Sequence, residues 1–397
     1  MLDSNGRSND LRKRIDADLC SLKACAQFRS LETSLGTNLC SNDYLGLASD
    51  PRLKQAIVAA VERTSRCGST GSRLLSGDSY EWENLEREFA DFVRAETALY
   101  FGSGYAANVG LLSAILQPND IAFSDALNHA SLIDGLRLSR AQKIIYLHND
   151  LYGLEQALEK NVDSSGARLI VTESIFSMEG DIAPLGNILQ LAEKYDAYVV
   201  VDDAHALGVF GEQGRGIAAE LPKRERILAV VYPCGKALAS IGAFVCGSGA
   251  LKDFLVNHAR SFIFSTATPP YIAHQISAAL KFAREANGRR SHLQQIAASL
   301  RFNLSAAGIN CGASTSQIIP VIVGSNEESL RLASHLQSAG FAVKAIRPPT
   351  IPPGTSRIRL SLTSEISFSE VQRLTGTLIA AMTGPQRPAP SATVAHV

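Results

Sequence analysis

Between about residues 50 and 260, short β-branched runs alternate with longer stretches of helical periodicity. The runs cover 98–101, 121–123, 143–146, 169–171, 198–201, 228–231 and 242–246. Several are apolar at consecutive positions, the pattern of strands covered on both faces. Between them, 82–94, 154–160 and 185–195 carry apolar residues at helical spacing. This alternation predicts an α/β domain of βαβ units around a mainly parallel, seven-stranded sheet. Residues 9–27 read as an amphipathic helix bearing Arg12, Lys13 and Arg14, and 270–300 as one long helix leading out of the large domain. Beyond about residue 305 the pattern becomes α+β, with strands expected at 316–323 and 341–346 and helices at 327–339 and 368–382. The expected division is an N-terminal helix and arm (1–48), a large domain (49–270) and a helix with a small α+β domain (271–383). A Pro-rich disordered tail (384–397) completes it.

Composition narrows the functional classes. Lys+Arg and Asp+Glu are both 38, so no net charge points to nucleic acid or to a membrane surface. The 7 cysteines are scattered and form no CxxC, which suggests neither a disulfide framework nor a metal site. The N-terminus has no apolar signal core and no apolar run approaches a membrane span, so the expected location is the cytoplasm.

Two strand ends carry the chemistry. One run ends in Asp202-Asp203-Ala204-His205, the other in Tyr232-Pro233-Cys234-Gly235-Lys236. An aspartate that can hold a pyridinium nitrogen and a lysine that can form a Schiff base are the protein groups pyridoxal phosphate requires. Lys236 has small or apolar neighbours, and desolvation there favours the neutral, nucleophilic amine. The turn Gly102-Ser103-Gly104-Tyr105-Ala106-Ala107 fits G-x-G-x-x-A, a pattern also found in dinucleotide sites. Its physics is that of phosphate binding generally: small residues let backbone N–H groups and a helix N-terminus approach an anion. An NAD-dependent dehydrogenase would rest on this turn alone. His129 and His205 each follow a strand end beside polar groups, whereas His148, His258, His274, His292, His335 and His396 read as ordinary structural or surface residues. Glu173 and Ser177 follow another strand. Arg357 and Arg359 alternate onto one strand face and could anchor a carboxylate. Ser265-Thr266 form a hydroxyl-rich turn.

These residues resemble a known family. The blocks Ser41-Asn42-Asp43-Tyr44-Leu45-Gly46, Gly71-Ser72-Arg73-Leu74-Leu75-Ser76-Gly77, Asn128-His129-Ala130-Ser131, Phe176-Ser177-Met178-Glu179-Gly180-Asp181 and Asp202-Asp203-Ala204-His205 are similar to the α-oxoamine synthases. That family belongs to the fold-type I pyridoxal phosphate enzymes. The stretch Ile346-Arg347-Pro348-Pro349-Thr350 resembles its 8-amino-7-oxononanoate synthase branch, of biotin synthesis, more than its glycine-using members. The resemblance implies Lys236 as the Schiff-base lysine, Asp202 as partner of the pyridine nitrogen and His129 as the stacking residue. It implies His205 and Ser177 at the ring oxygen, with Ser103, Gly104 and Tyr105 at the phosphate end. Ser265 and Thr266 would reach the phosphate from a second copy, so a cytoplasmic homodimer with shared sites is expected. Asn42 and Arg359 would handle the amino acid, with Arg359 holding its carboxylate, and Arg29 would meet the acyl substrate. The implied reaction condenses L-alanine with a pimeloyl thioester of CoA or acyl carrier protein, with decarboxylation. A relative using glycine or another amino acid with a different acyl thioester is the alternative. Two departures stand out: Pro233 replaces the family's phosphate-binding Thr, and the segment leading to Asn42 is short.

Overall fold

The structure is a computed structural model that describes residues 10–33 and 35–383. The expected tail at 384–397 lies outside the described residues. The seven apolar runs all enter one sheet: β1 Thr97–Phe101, β2 Ile121–Asp125, β3 Gln142–Tyr146, β4 Arg168–Glu173, β5 Tyr198–Asp202, β6 Ile227–Pro233 and β7 Ala243–Gly247. Their order is β1-β7-β6-β5-β4-β2-β3. Only β7 runs antiparallel to its neighbours β1 and β6.

Burial on both faces explains why the central strands do not alternate in polarity, whereas the edge strand β3 is largely exposed. Val199, Val201 and Ile170 face one core cluster, and Val200, Val171 and Val231 face the other. Helices Gly104–Ile115 and Ala130–Ser139 cover the second face with Ala107, Leu111, Leu132 and Leu136. Burying each such Leu or Val contributes roughly 1.5–3 kcal/mol. Side chains two residues apart on a strand share a face. Glu173, Asp202 and Pro233 are each two residues beyond Val171, Val200 and Val231, so all three strand ends turn toward those helices.

The expected single helix over 270–300 is instead two, Tyr271–Glu285 and Asn287–Ala306. Arg290 accounts for the break: its guanidinium donates to the carbonyls of Ala283 and Arg284, and to Asn287 Oδ1. It thereby satisfies orphan carbonyls at the first helix's end. The strand expected over 341–346 is also divided. Phe341–Ala342 pairs with Thr37–Asn38, tying the N-terminal arm to the C-terminal part of the chain. A separate three-stranded sheet contains β8 Ile318–Gly324, β9 Ala345–Ile346 and β10 Ser356–Ser361, ordered β9-β10-β8. Between the two pieces, the Val343 carbonyl accepts from Gln337 Nε2 at 2.8 Å, which takes it out of any strand ladder. No helix among the described residues is long and apolar enough to cross a membrane.

Candidate active site

The carboxyl ends of β4, β5 and β6 open into a cavity of about 340 Å³. Its wall contains Asn42, Ser103, Gly104, Tyr105, His129, Asp202, His205 and Lys236, positions that are far apart in sequence. Parallel-sheet topology brings them together, because every parallel strand delivers its last residues to the same edge.

At one end stands the start of helix Gly104–Ile115. Ser103 caps it, its Oγ accepting from Ala106 N at 3.0 Å. A Cβ on Gly104 would lie 2.9 Å from Pro233 Cγ, so the glycine is required by the proline ring behind it. Tyr105 lines the cavity, but its hydroxyl is engaged by Asp134 at the surface.

At the other end Asp202 is held by two donors, Asn108 Nδ2 at 2.7 Å and Ala204 N at 3.0 Å. Asn108 Nδ2 also reaches Ser131 Oγ at 2.9 Å, which lies 2.7 Å from His129 Nδ1. Ser131 N donates to the same ring nitrogen at 3.2 Å, so His129 carries its proton on Nε2. Burial lowers the pKa of His129 against the pull of Asp202, and a neutral, oriented ring results.

Lys236 follows β6 between Gly235 and Ala237 and lines the same cavity. Burial lowers its pKa, Asp202 and Glu173 oppose that, and Arg359 assists it. Glu173 is paired with Asp202 across β4 and β5 and is 2% exposed. Burial and the neighbouring Asp202 charge push its pKa well above the carboxylate range, and its Oε1 has no partner.

Arg359, on β10, is buried beside the cavity. Its Nη1 and Nη2 both lie 3.2 Å from Asn42 Oδ1, and its Nε donates to the Ser177 carbonyl. Asn42, Ser177 and Arg359 therefore form one cluster, although Ser177 meets it through its backbone. Arg357, the other arginine of that alternation, is committed to Glu179 at 2.8 Å.

Three sequence candidates lie elsewhere. Arg29 is exposed and donates to the carbonyls of Arg347 and Pro348 at 3.3 and 3.4 Å, and to Thr350 Oγ1 at 3.2 Å. Ser265 and Thr266 are exposed in the turn after helix Arg260–Ile263, away from this cavity within the same chain.

The sequence pattern of the family described as aminotransferase class I and II matches residues 36–378. The chain belongs to that family. Within it, the chain is 43% identical over 362 residues to a putative 8-amino-7-oxononanoate synthase of Bacillus licheniformis, covering 91% of this chain and 94% of the other. It is 42% identical over 378 residues to the 8-amino-7-oxononanoate synthase of Geobacter sulfurreducens, covering 91% and 96%. Among solved structures, a serine palmitoyltransferase of Sphingomonas wittichii superposes with a TM-score of 0.87 at 28% identity, covering 94% and 98%. An 8-amino-7-oxononanoate synthase of Francisella tularensis superposes with a TM-score of 0.76 at 29% identity, covering 88% and 98%. The fold-type I transferase architecture expected from the sequence is the one found.

Sequence reading missed several residues of this class I and II site. Asn108 and Ser131 link Asp202 to His129, and Asn108 stands four residues after Gly104, on the same helix face. Tyr44 sits two residues after Asn42, its hydroxyl 3.1 Å from Asn42 Oδ1. His148, expected as an ordinary structural or surface residue, lies 3.0 Å from Asp125 and 2.9 Å from Asp181, tying the end of β2 to the Asp181 loop.

Proposed function

We propose that this protein is an 8-amino-7-oxononanoate synthase that joins L-alanine to a pimeloyl thioester, releasing the thiol carrier and carbon dioxide. The observation that carries the reading is the convergence of Lys236, Asp202 and the Gly104 helix N-terminus on one cavity. The names of relatives more than 40% identical over nine-tenths of the chain support it.

The residues fit pyridoxal phosphate. Lys236 would hold it covalently, Asp202 would face its ring nitrogen and His129 would lie against the ring. His205 and Ser177 would reach the ring oxygen. Ser103, Gly104 and Tyr105 would take the phosphate, joined by Ser265 and Thr266 of a second copy. Two orphaned buried oxygens on the wall, Glu173 Oε1 and Asn108 Oδ1, suit a polar occupant. Bound there, the cofactor supplies an electron sink for a carbanion at the amino acid's α-carbon.

The chain's own groups do the rest. The Asn42–Arg359 pair would receive the alanine carboxylate, a charge-assisted contact that fixes the α-carbon near Lys236. The Lys236 amine, its pKa lowered by burial, would take the α-proton and later return one. Asp202, held by Asn108 and Ala204, would keep the ring nitrogen protonated. Arg29 would meet the acyl chain's far end from the Arg347–Thr350 loop. The domain division at residues 49–270 and 271–383, the cytoplasmic homodimer and the pyridoxal phosphate itself belong to this proposal.

The higher TM-score of the serine palmitoyltransferase structure favours the alternative, a synthase of this kind with another amino acid and acyl thioester. Sequence identity weighs more heavily, at 43% against 28%. Thiol release from a panel of acyl thioesters with alanine, glycine and serine decides between them. Release should require alanine and a pimeloyl thioester. Release with serine and a long-chain thioester instead would overturn the assignment.

A further inference from the structure

Tyr44 is 0% exposed, and a buried tyrosine hydroxyl needs partners. Its hydroxyl lies 2.6 Å from His205 Nδ1 and 3.1 Å from Asn42 Oδ1. One hydroxyl proton cannot serve both. Burial raises the phenol's pKa, so the proton is present to be given.

Asn42 Oδ1 is already crowded. It takes Arg359 Nη1 and Nη2 at 3.2 Å and Ser361 Oγ at 3.1 Å. An amide oxygen has two lone pairs, and a guanidinium can only donate. The shorter contact, to the imidazole, is the better place for the tyrosine proton. Burial, reinforced by the positive charges of Lys236 and Arg359, holds the His205 pKa well below its ordinary value. A neutral imidazole that accepts at Nδ1 carries its proton on Nε2. Gln317 Nε2 fixes the backbone behind the ring by donating to the His205 carbonyl at 2.9 Å.

We propose that Tyr44 is a positioning residue that fixes His205 as the Nε2–H tautomer, so that the cavity meets a hydrogen-bond donor there. Because the same hydroxyl touches Asn42, it also couples that donor to the site of the amino-acid carboxylate. The ligand chemistry implied is an anionic ring oxygen, as on pyridoxal phosphate, and in this respect the inference rests on the functional reading above. His205 Nε2 is the nitrogen left for such a ligand, since Nδ1 is taken.

The test is Tyr44→Phe, which keeps the ring and its packing and removes only the hydroxyl. Nitrogen-15 spectra of histidine-labelled protein, with and without pyridoxal phosphate, report which ring nitrogen of His205 is protonated. His205→Asn identifies its signals. Wild type should show Nε2 protonated and Nδ1 bare, and Tyr44→Phe should lose that preference. Absorbance titration should show pyridoxal phosphate affinity roughly three- to tenfold weaker in Tyr44→Phe, the size of one lost hydrogen bond. A wild-type proton on Nδ1, or unchanged spectra and affinity in Tyr44→Phe, would overturn the proposal. Wild-type protein that binds no pyridoxal phosphate would sink the functional reading instead, and the cofactor-free spectra would still decide the role of Tyr44.

Discussion

Glu173 and Asp202 end adjacent parallel strands in register, so their carboxyls stand side by side on one face of the sheet. Two buried carboxylates at that spacing do not both ionise readily. Asp202 has donors on both oxygens, whereas Glu173 Oε1 has none. Glu173, its pKa pushed up by burial and the neighbouring carboxylate, therefore stays protonated. Glu173→Gln should keep pyridoxal phosphate affinity within about threefold at neutral pH, since the amide mimics the neutral acid. Asp202→Asn should abolish turnover while leaving the lysine linkage intact. Absorbance titration and thiol release separate the two outcomes, and a Gln variant that binds cofactor more than about tenfold more weakly would show that the Glu173 charge is needed.

Pro233 closes β6 behind the Gly104 turn, and its ring packs on Gly104. Proline brings neither hydroxyl nor N–H to the site. Pro233→Thr should tighten pyridoxal phosphate binding by roughly three- to tenfold, as one added hydrogen bond would. Equilibrium dialysis measures it. Unchanged affinity would mean that the helix N-terminus already saturates the phosphate.

Arg359 hydrogen-bonds Asn42 Oδ1 and the Ser177 carbonyl and also reaches the Tyr44 hydroxyl. Arg359→Gln should raise the KM for the amino acid at least about tenfold, the usual loss for a charge-assisted contact. Cofactor affinity should stay within about twofold of wild type. Equal losses in both would place the guanidinium at the cofactor rather than the substrate.

His148 sits between Asp125 and Asp181, at 3.0 and 2.9 Å. Burial opposes its charge, but the two carboxylates prevail and its pKa is pushed up to about 10, from an ordinary 6.5. The folded value lies above the unfolded one. The stabilisation is therefore fully present below about pH 6.5 and is lost as pH rises through about 10. His148→Gln should cost about 2 kcal/mol at neutral pH by leaving two buried carboxylates short of a cation. In urea unfolding, the gap between variant and wild type should shrink as pH passes about 10. A gap that stays constant across that range would show that the site is held by packing instead.

Much of this was legible in the chain. Short apolar runs marked the strands, most of which are covered on both faces although the edge strand β3 is largely exposed, and a parallel sheet leaves little choice about where Asp202 and Lys236 must meet. What escaped was set by side chains acting at a distance. The helix break falls at the turn-forming pair Asn287-Gly288, and the Arg290 guanidinium that satisfies the freed carbonyls reaches back from the next helix. Asn108, Tyr44 and His148 are ordinary residues in apolar or loop surroundings. Their partners, Asp202, His205 and Asp181, are tens to hundreds of positions away, so periodicity carries no trace of them. Arg29 illustrates the converse: a residue aligned by resemblance lies outside the cavity, on the Arg347–Thr350 loop.

The central claim is that Lys236 is the amine that holds the cofactor. Borohydride reduction of the protein incubated with pyridoxal phosphate, followed by peptide mass analysis, reads that position directly. The expected result is a single reduced pyridoxyl adduct on the peptide containing Lys236, absent from Lys236→Ala. An adduct on another lysine with Lys236 unmodified, or a Lys236→Ala protein that is labelled as fully as wild type, would contradict it.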